Sequence, residues 1–84
     1  MKTYMFIYFL STDMDKVRQN LGRHVKYWKS REFAFYKNGP FADKSGGLIL
    51  FSAADDGQAQ AIVAQDPLIQ EEVLTQYWLK EWVA

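Results

Sequence analysis

The chain predicts an α+β fold, an antiparallel sheet with helices packed on one face, and three observations point there. Its apolar segments run in the order strand, helix, strand, strand, helix, strand, with the hydrophobic period switching between two and 3.6 residues. Its 84 residues, 1–84, make a single domain with no linker, internal repeat or low-complexity tract. Its six Phe, five Tyr and three Trp bring more apolar area than one small core needs.

The first strand is Thr3 to Leu10, where aromatic and aliphatic residues occupy both alternating faces. Ser11, Thr12 and Asp13 then offer capping side chains, and Thr12 with Asp15 three residues on resembles a capping box. The helix that follows runs to about Ser30. Its apolar stripe is Val17, Leu21, His24, Val25 and Trp28, with Lys16, Arg18, Arg23, Lys26 and Lys29 solvating the other faces.

Glu32 to Lys37 reads as the second strand, stopped by a turn at Asn38-Gly39-Pro40. A loop through Asp43, Lys44 and Ser45 leads to Gly46-Gly47 and a short third strand, Leu48 to Phe51, forming a hairpin with the second. Asp55 and Asp56 cap a second helix whose apolar face is Ala59, Ile62 and Val63. Asp66-Pro67 breaks it, Leu68 to Glu72 adds one helical turn, and Val73 to Val83 alternates as the last strand.

That order is the split βαβ, ferredoxin-like βαββαβ arrangement, a four-stranded antiparallel sheet with two helices on one face. The first strand needs burial on both sides: Tyr4, Phe6, Tyr8 and Leu10 on one, Met5, Ile7 and Phe9 on the other. No element is left to cover the second side. A second copy laid sheet against sheet covers it, so a homodimer is expected.

Ten basic and ten acidic residues cancel, leaving no net field to draw the chain toward nucleic acid or anionic lipid. The apolar run Met5 to Leu10 is far shorter than the roughly 20 residues of a membrane span, and no small-residue cleavage site follows it. One histidine and no cysteine cannot assemble a structural zinc site, so neither metal nor cofactor is expected. The absence of cysteine suits a reducing compartment, and the cytoplasm is the expected location.

Acid-base chemistry near neutral pH therefore falls to His24 by default. The string Arg23-His24-Val25-Lys26-Tyr27-Trp28, followed by Gly39-Pro40-Phe41, Gly46-Gly47 opening a strand, Asp66-Pro67-Leu68 and a last strand ending in Glu81-Trp82, resembles the YCII-related family over essentially the whole chain. The resemblance implies a ferredoxin-like fold that dimerises through its sheets, in the dimeric α+β barrel class. It also implies an active site centred on a histidine and an aspartate, here His24 and Asp66. Three positions depart from the family pattern: Trp28 replaces a smaller aliphatic residue, Leu68 a phenylalanine, and Lys80-Glu81-Trp82 an Arg-Pro-Trp ending.

A carboxylate accepting from one imidazole nitrogen fixes the tautomer and stabilises the imidazolium formed when the other nitrogen takes a proton. His24 would be the general base and Asp66 its orienter, a pair suited to isomerisation or elimination. By resemblance, elimination on a small aromatic or cyclic substrate is one such use. Tyr8, Arg23, Gly39, Pro40 and Phe41 are the candidate substrate-binding residues. Against these stand plainer roles: a core histidine bonded to a backbone carbonyl, an aspartate capping a helix with proline at its first position, turn residues and a solvated helix face. The cap and the dyad can coexist in Asp66.

The competing function is a noncatalytic dimeric module that binds a small ligand or another protein. RNA binding, known on the same topology, is disfavoured because Gly46 to Phe51 lacks a basic residue and exposed stacking aromatics. A haem-using relative would need distal features that the sequence does not offer.

Overall fold

A computed structural model describes residues 1–83. In chain order the elements are β1 (Lys2–Leu10), α1 (Met14–Lys29), β2 (Tyr36–Pro40), β3 (Gly46–Ala53), α2 (Asp56–Ala64), the short α3 (Pro67–Gln70) and β4 (Leu74–Glu81). The sheet is four-stranded in the order β2-β3-β1-β4, and every pairing is antiparallel. This is the predicted ferredoxin-like α+β arrangement, with the helices on one side.

Register divides β1 cleanly. Tyr4 pairs with Phe51, Phe6 with Ile49 and Tyr8 with Gly47, and Tyr4, Phe6, Ile49 and Phe51 are all buried beneath the helices. Trp28 of α1 closes this core, its ring lying 5.3 Å from Phe51 and 6.1 Å from Phe6. Leu68 and Val73 seal the end where α3 turns into β4. On the other face Met5, Ile7, Phe9, Leu48 and Leu50 are only half-buried and Trp78 is exposed, and among the described residues no helix covers them.

Several local expectations need correction. The cap of α1 is Asp13, whose carboxylate accepts from the Lys16 amide at 3.2 Å, so the Thr12–Asp15 box does not form. The buried stripe of α1 is Val17, Asn20, His24 and Trp28, whereas Leu21 and Val25 are exposed. Asn20 can face inward because its amide donates to the Lys16 carbonyl one turn back, at 2.9 Å.

The second strand begins at Tyr36 and runs through Asn38-Gly39-Pro40 instead of stopping there. Residues 31 to 34 lie outside the ladder, with Phe33 folded inward against Trp28 and Phe51, while the Phe35 carbonyl accepts from the Ser52 amide at 3.0 Å. Proline is tolerated at the end of β2 because that strand lies at the sheet edge. The turn itself is at residues 41 to 45, where Lys44 has φ 63° and Asp43 accepts from both the amide and the hydroxyl of Ser45. In β4 the expected alternation breaks at a bulge: Phe9 pairs with Gln76 but Leu10 with Leu74, which turns Leu74 toward the core.

Candidate active site

Three elements meet at Asp66. It is the N-cap of α3, with extended backbone (φ −62°, ψ 129°), and its Oδ1 accepts from the Leu68 amide at 2.9 Å. Pro67 at the first helical position has no amide to satisfy and presets the helical φ. The other carboxylate oxygen points at α1. Oδ2 lies 2.7 Å from His24 Nδ1 and 2.8 Å from Trp28 Nε1. Asp66 thus caps a helix and orients an imidazole with different oxygens, which is how both roles coexist.

All three side chains are withdrawn from water: Asp66 is fully buried, His24 4% exposed and Trp28 1% exposed. Two fixed donors, the Leu68 amide on Oδ1 and the Trp28 indole on Oδ2, face the carboxylate, with His24 Nδ1 as its third partner. An ionised carboxyl is acceptor-only and satisfies both fixed donors while leaving Oδ2 free to accept from the imidazole as well, the arrangement the dyad reading takes. Against an ionised carboxylate, Nδ1 of His24 carries the hydrogen and Nε2 is the basic nitrogen.

Nε2 faces β1. The Tyr8 hydroxyl stands 3.4 Å from it, a long contact in which the phenol donates, and the two rings meet edge to face at 5.3 Å. Burial pushes the Tyr8 phenol up to about 12, helped by the negative charge of Asp66 and by Tyr36. Burial and the same carboxylate also raise Tyr36. Tyr27 is raised by burial, with Arg31 opposing. Its hydroxyl donates to the Ile62 carbonyl and ties α1 to α2.

The hydroxyl of Tyr8 has its place because residue 47 is glycine. A Cβ there would lie 2.4 Å from the Tyr8 hydroxyl and 3.0 Å from the Gly39 carbonyl oxygen. This brings Gly39 to the rim of the site through its backbone, with Pro40 paired to Gly47 beside it. Arg23 is exposed one residue before His24, and its guanidinium is tied to Asn20 Oδ1 at 3.0 Å. Phe41 is not brought to His24: it packs on Phe9, at 5.6 Å, on the uncovered face of the sheet.

The role of Trp28 as a partner of Asp66, rather than core alone, was missed in the sequence reading. A buried indole needs an acceptor for its one N–H, and that requirement was the available signal. Tyr36, stacked on Trp28 at 6.4 Å, was missed as well, and Asn38 of β2 donates to the Tyr36 hydroxyl at 2.6 Å. A cleft of about 470 Å³ lies elsewhere, lined by Tyr4, Asp56, Gln60, Tyr77 and Glu81 among others. Among the described residues no group of three or more His, Cys, Asp or Glu is placed to hold a metal ion. No helix there is long and apolar enough to cross a membrane.

Comparison with curated protein sequences finds no match. Among solved structures, 5-chloro-2-hydroxyhydroquinone dehydrochlorinase from Burkholderia phenoliruptrix AC1100, in complex with 2,5-dihydroxybenzoquinone, superposes with a TM-score of 0.78. The match covers 96% of this chain and 93% of that one at 14% identity, and a likeness so distant in sequence establishes the fold. The YCII-related domain model matches residues 1–83. With that match spanning the sheet, the helices and the buried histidine–aspartate pair, the chain belongs to the YCII-related family.

Proposed function

We propose that this protein is a small acid-base enzyme, working without a cofactor, that carries out elimination or isomerisation on a small aromatic or cyclic molecule. The observation that carries this reading is the 2.7 Å bond between His24 Nδ1 and Asp66 Oδ2, with Nε2 left as the basic nitrogen. In the proposed step Nε2 takes a proton from the substrate. The C–H or O–H electron pair moves into the ring system, and in an elimination the leaving group departs with its own bonding pair. Asp66 stays ionised and stabilises the imidazolium, which then gives the proton to a different ring atom in an isomerisation, or to water as the anion departs in an elimination.

A small oxygenated ring as substrate is supported by the fold shared with a dehydrochlorinase of a hydroxyhydroquinone and by the aromatic side chains beside the pair, Tyr8 against His24 and the half-buried Tyr36 over Trp28. Tyr8 yields its place at Nε2 to the reacting group, Gly39 and Pro40 form the rim, and Arg23 meets an acidic oxygen. The half-buried apolar sheet face is proposed to be covered by a second copy, with Phe41 serving that contact. A cytoplasmic setting agrees with the cysteine-free chain.

A noncatalytic binding module is the second reading, and the enclosure of the imidazole behind Tyr8 favours it. The two separate on one experiment: incubation with a panel of chlorinated hydroquinones and hydroxyquinones, following chloride release and the quinone spectrum. The enzyme reading expects turnover that falls at least about 100-fold in a folded His24→Ala variant. Binding without turnover would favour the module, and turnover that His24→Ala leaves unchanged would remove His24 from the chemistry.

A further inference from the structure

Asp66 Oδ2 receives two donors, both from α1: the His24 imidazole at 2.7 Å and the Trp28 indole at 2.8 Å. His24 and Trp28 are four residues apart, so they stack on one face of the helix and reach the same atom. The indole N–H is a permanent donor, unlike the imidazole, whose proton count changes when it works. We propose that Trp28 is a positioning residue of the dyad: its N–H holds Asp66 ionised and turned toward α1, keeps the His24 proton on Nδ1, and shares the negative charge that would otherwise fall wholly on the imidazole.

The surroundings of the carboxylate leave this part to Trp28. From β1 the group facing the pair is the Tyr8 phenol, from β2 that of Tyr36, and from α1 itself that of Tyr27, beside Arg31. From α3 the Leu68 amide is the one that meets the Asp66 carboxylate, and it uses the other oxygen. No lysine or arginine forms an ion pair with Asp66 among the described residues. Trp28 is the one side chain besides His24 that hydrogen-bonds the carboxylate there.

Sharing has a direction. A hydrogen bond to the ionised carboxylate lowers its basicity, and a less basic carboxylate holds an imidazolium less tightly. Trp28 therefore keeps His24 from becoming a histidine locked in its protonated form, and leaves it able both to accept and to release a proton. The inference deepens the enzyme reading above. Its readout is the titration of the imidazole, which needs no substrate, so its failure and the failure to find turnover are separate results.

The test begins on the unaltered protein, by NMR of its three indole N–H groups across the pH range. The Trp28 N–H is expected far downfield, slow to exchange, and shifting with the same midpoint as the single histidine, while those of Trp78 and Trp82 do not follow it. A Trp28 signal indifferent to the histidine titration would overturn the proposal. Trp28→Phe keeps a ring in the core and removes the N–H. Its histidine midpoint should rise by about one unit, and an unchanged midpoint in the folded variant would also overturn the proposal. If Trp28→Phe does not fold, replacement of the indole by its sulfur isostere, which lacks the N–H and keeps the shape, makes the same comparison.

Discussion

His24 Nδ1 and Asp66 Oδ2 stand 2.7 Å apart although 42 residues separate them in the chain. The contact exists because α3 starts where α1 passes over it, and because one carboxylate oxygen suffices for the cap. The pair is therefore part of how the helices are joined as well as a candidate catalyst. His24→Ala removes a hydrogen-bond partner from a carboxylate that is fully buried. We expect a loss of about 3 kcal/mol in urea unfolding. A loss within experimental error would mean that the carboxylate is hydrated in the folded chain.

Gly46 and Gly47 predict different outcomes although they are neighbours. A Cβ at residue 46 would lie 1.9 Å from the Tyr8 carbonyl oxygen and 2.9 Å from the Phe9 Cα, so Gly46→Ala has to part β1 from β3. It should cost about 3 kcal/mol or more. At residue 47 the nearest obstacle is the Tyr8 hydroxyl, the far end of a side chain. Gly47→Ala should cost about 1–2 kcal/mol but push that hydroxyl off Nε2, displacing the histidine NMR signals. Equal costs, or an undisturbed imidazole, would contradict the assigned packing.

Much of this was legible in the sequence, and the exceptions share a cause. Strand and helix order, the caps Asp55 and Asp66, and the inward His24 followed from period and local chemistry. The β2 boundary did not. Gly39-Pro40 carries the local signature of a turn, and only its place at a sheet edge makes it a strand end. Leu21 and Val25 match the helical period yet are exposed, because α1 is rotated to bring Asn20, His24 and Trp28 inward. Trp28 as a donor to Asp66 depends on a contact 38 residues away, which periodicity does not encode.

Stability should fall at alkaline pH. Burial, with the hydrogen bond to Asp56 and nearby carboxylates, pushes the Tyr4 phenol up to about 12, and burial does the same to Tyr8. A phenol raised in the folded state ionises first in the unfolded chain, near the ordinary value of 10.0. Its contribution is therefore complete below pH 10 and is lost as the pH climbs toward 12. Urea midpoints measured through that window should drop, and Tyr8→Phe should flatten the drop. An equally steep drop in that variant would remove Tyr8 from the cause.

The uncovered sheet face predicts self-association. Ile7 sits at its centre, paired with Leu48 on one side and Trp78 on the other. Sedimentation should show a dimer for the unaltered chain and a folded monomer for Ile7→Lys, since a buried, unpaired ammonium on a sheet-to-sheet contact is strongly unfavourable. An unaltered chain that sediments as a monomer at high concentration would leave this face for another partner.

The most direct measurement is the NMR pH titration of the lone histidine in the unaltered protein and in Asp66→Asn. Asparagine caps a helix as well as aspartate, so the variant should fold while losing the negative charge beside Nδ1. If Asp66 orients and supports His24 as a base, the imidazole titration should move to lower pH by about one unit or more. An unmoved titration in a folded variant would reduce Asp66 to a helix cap and remove the dyad from the protein's chemistry.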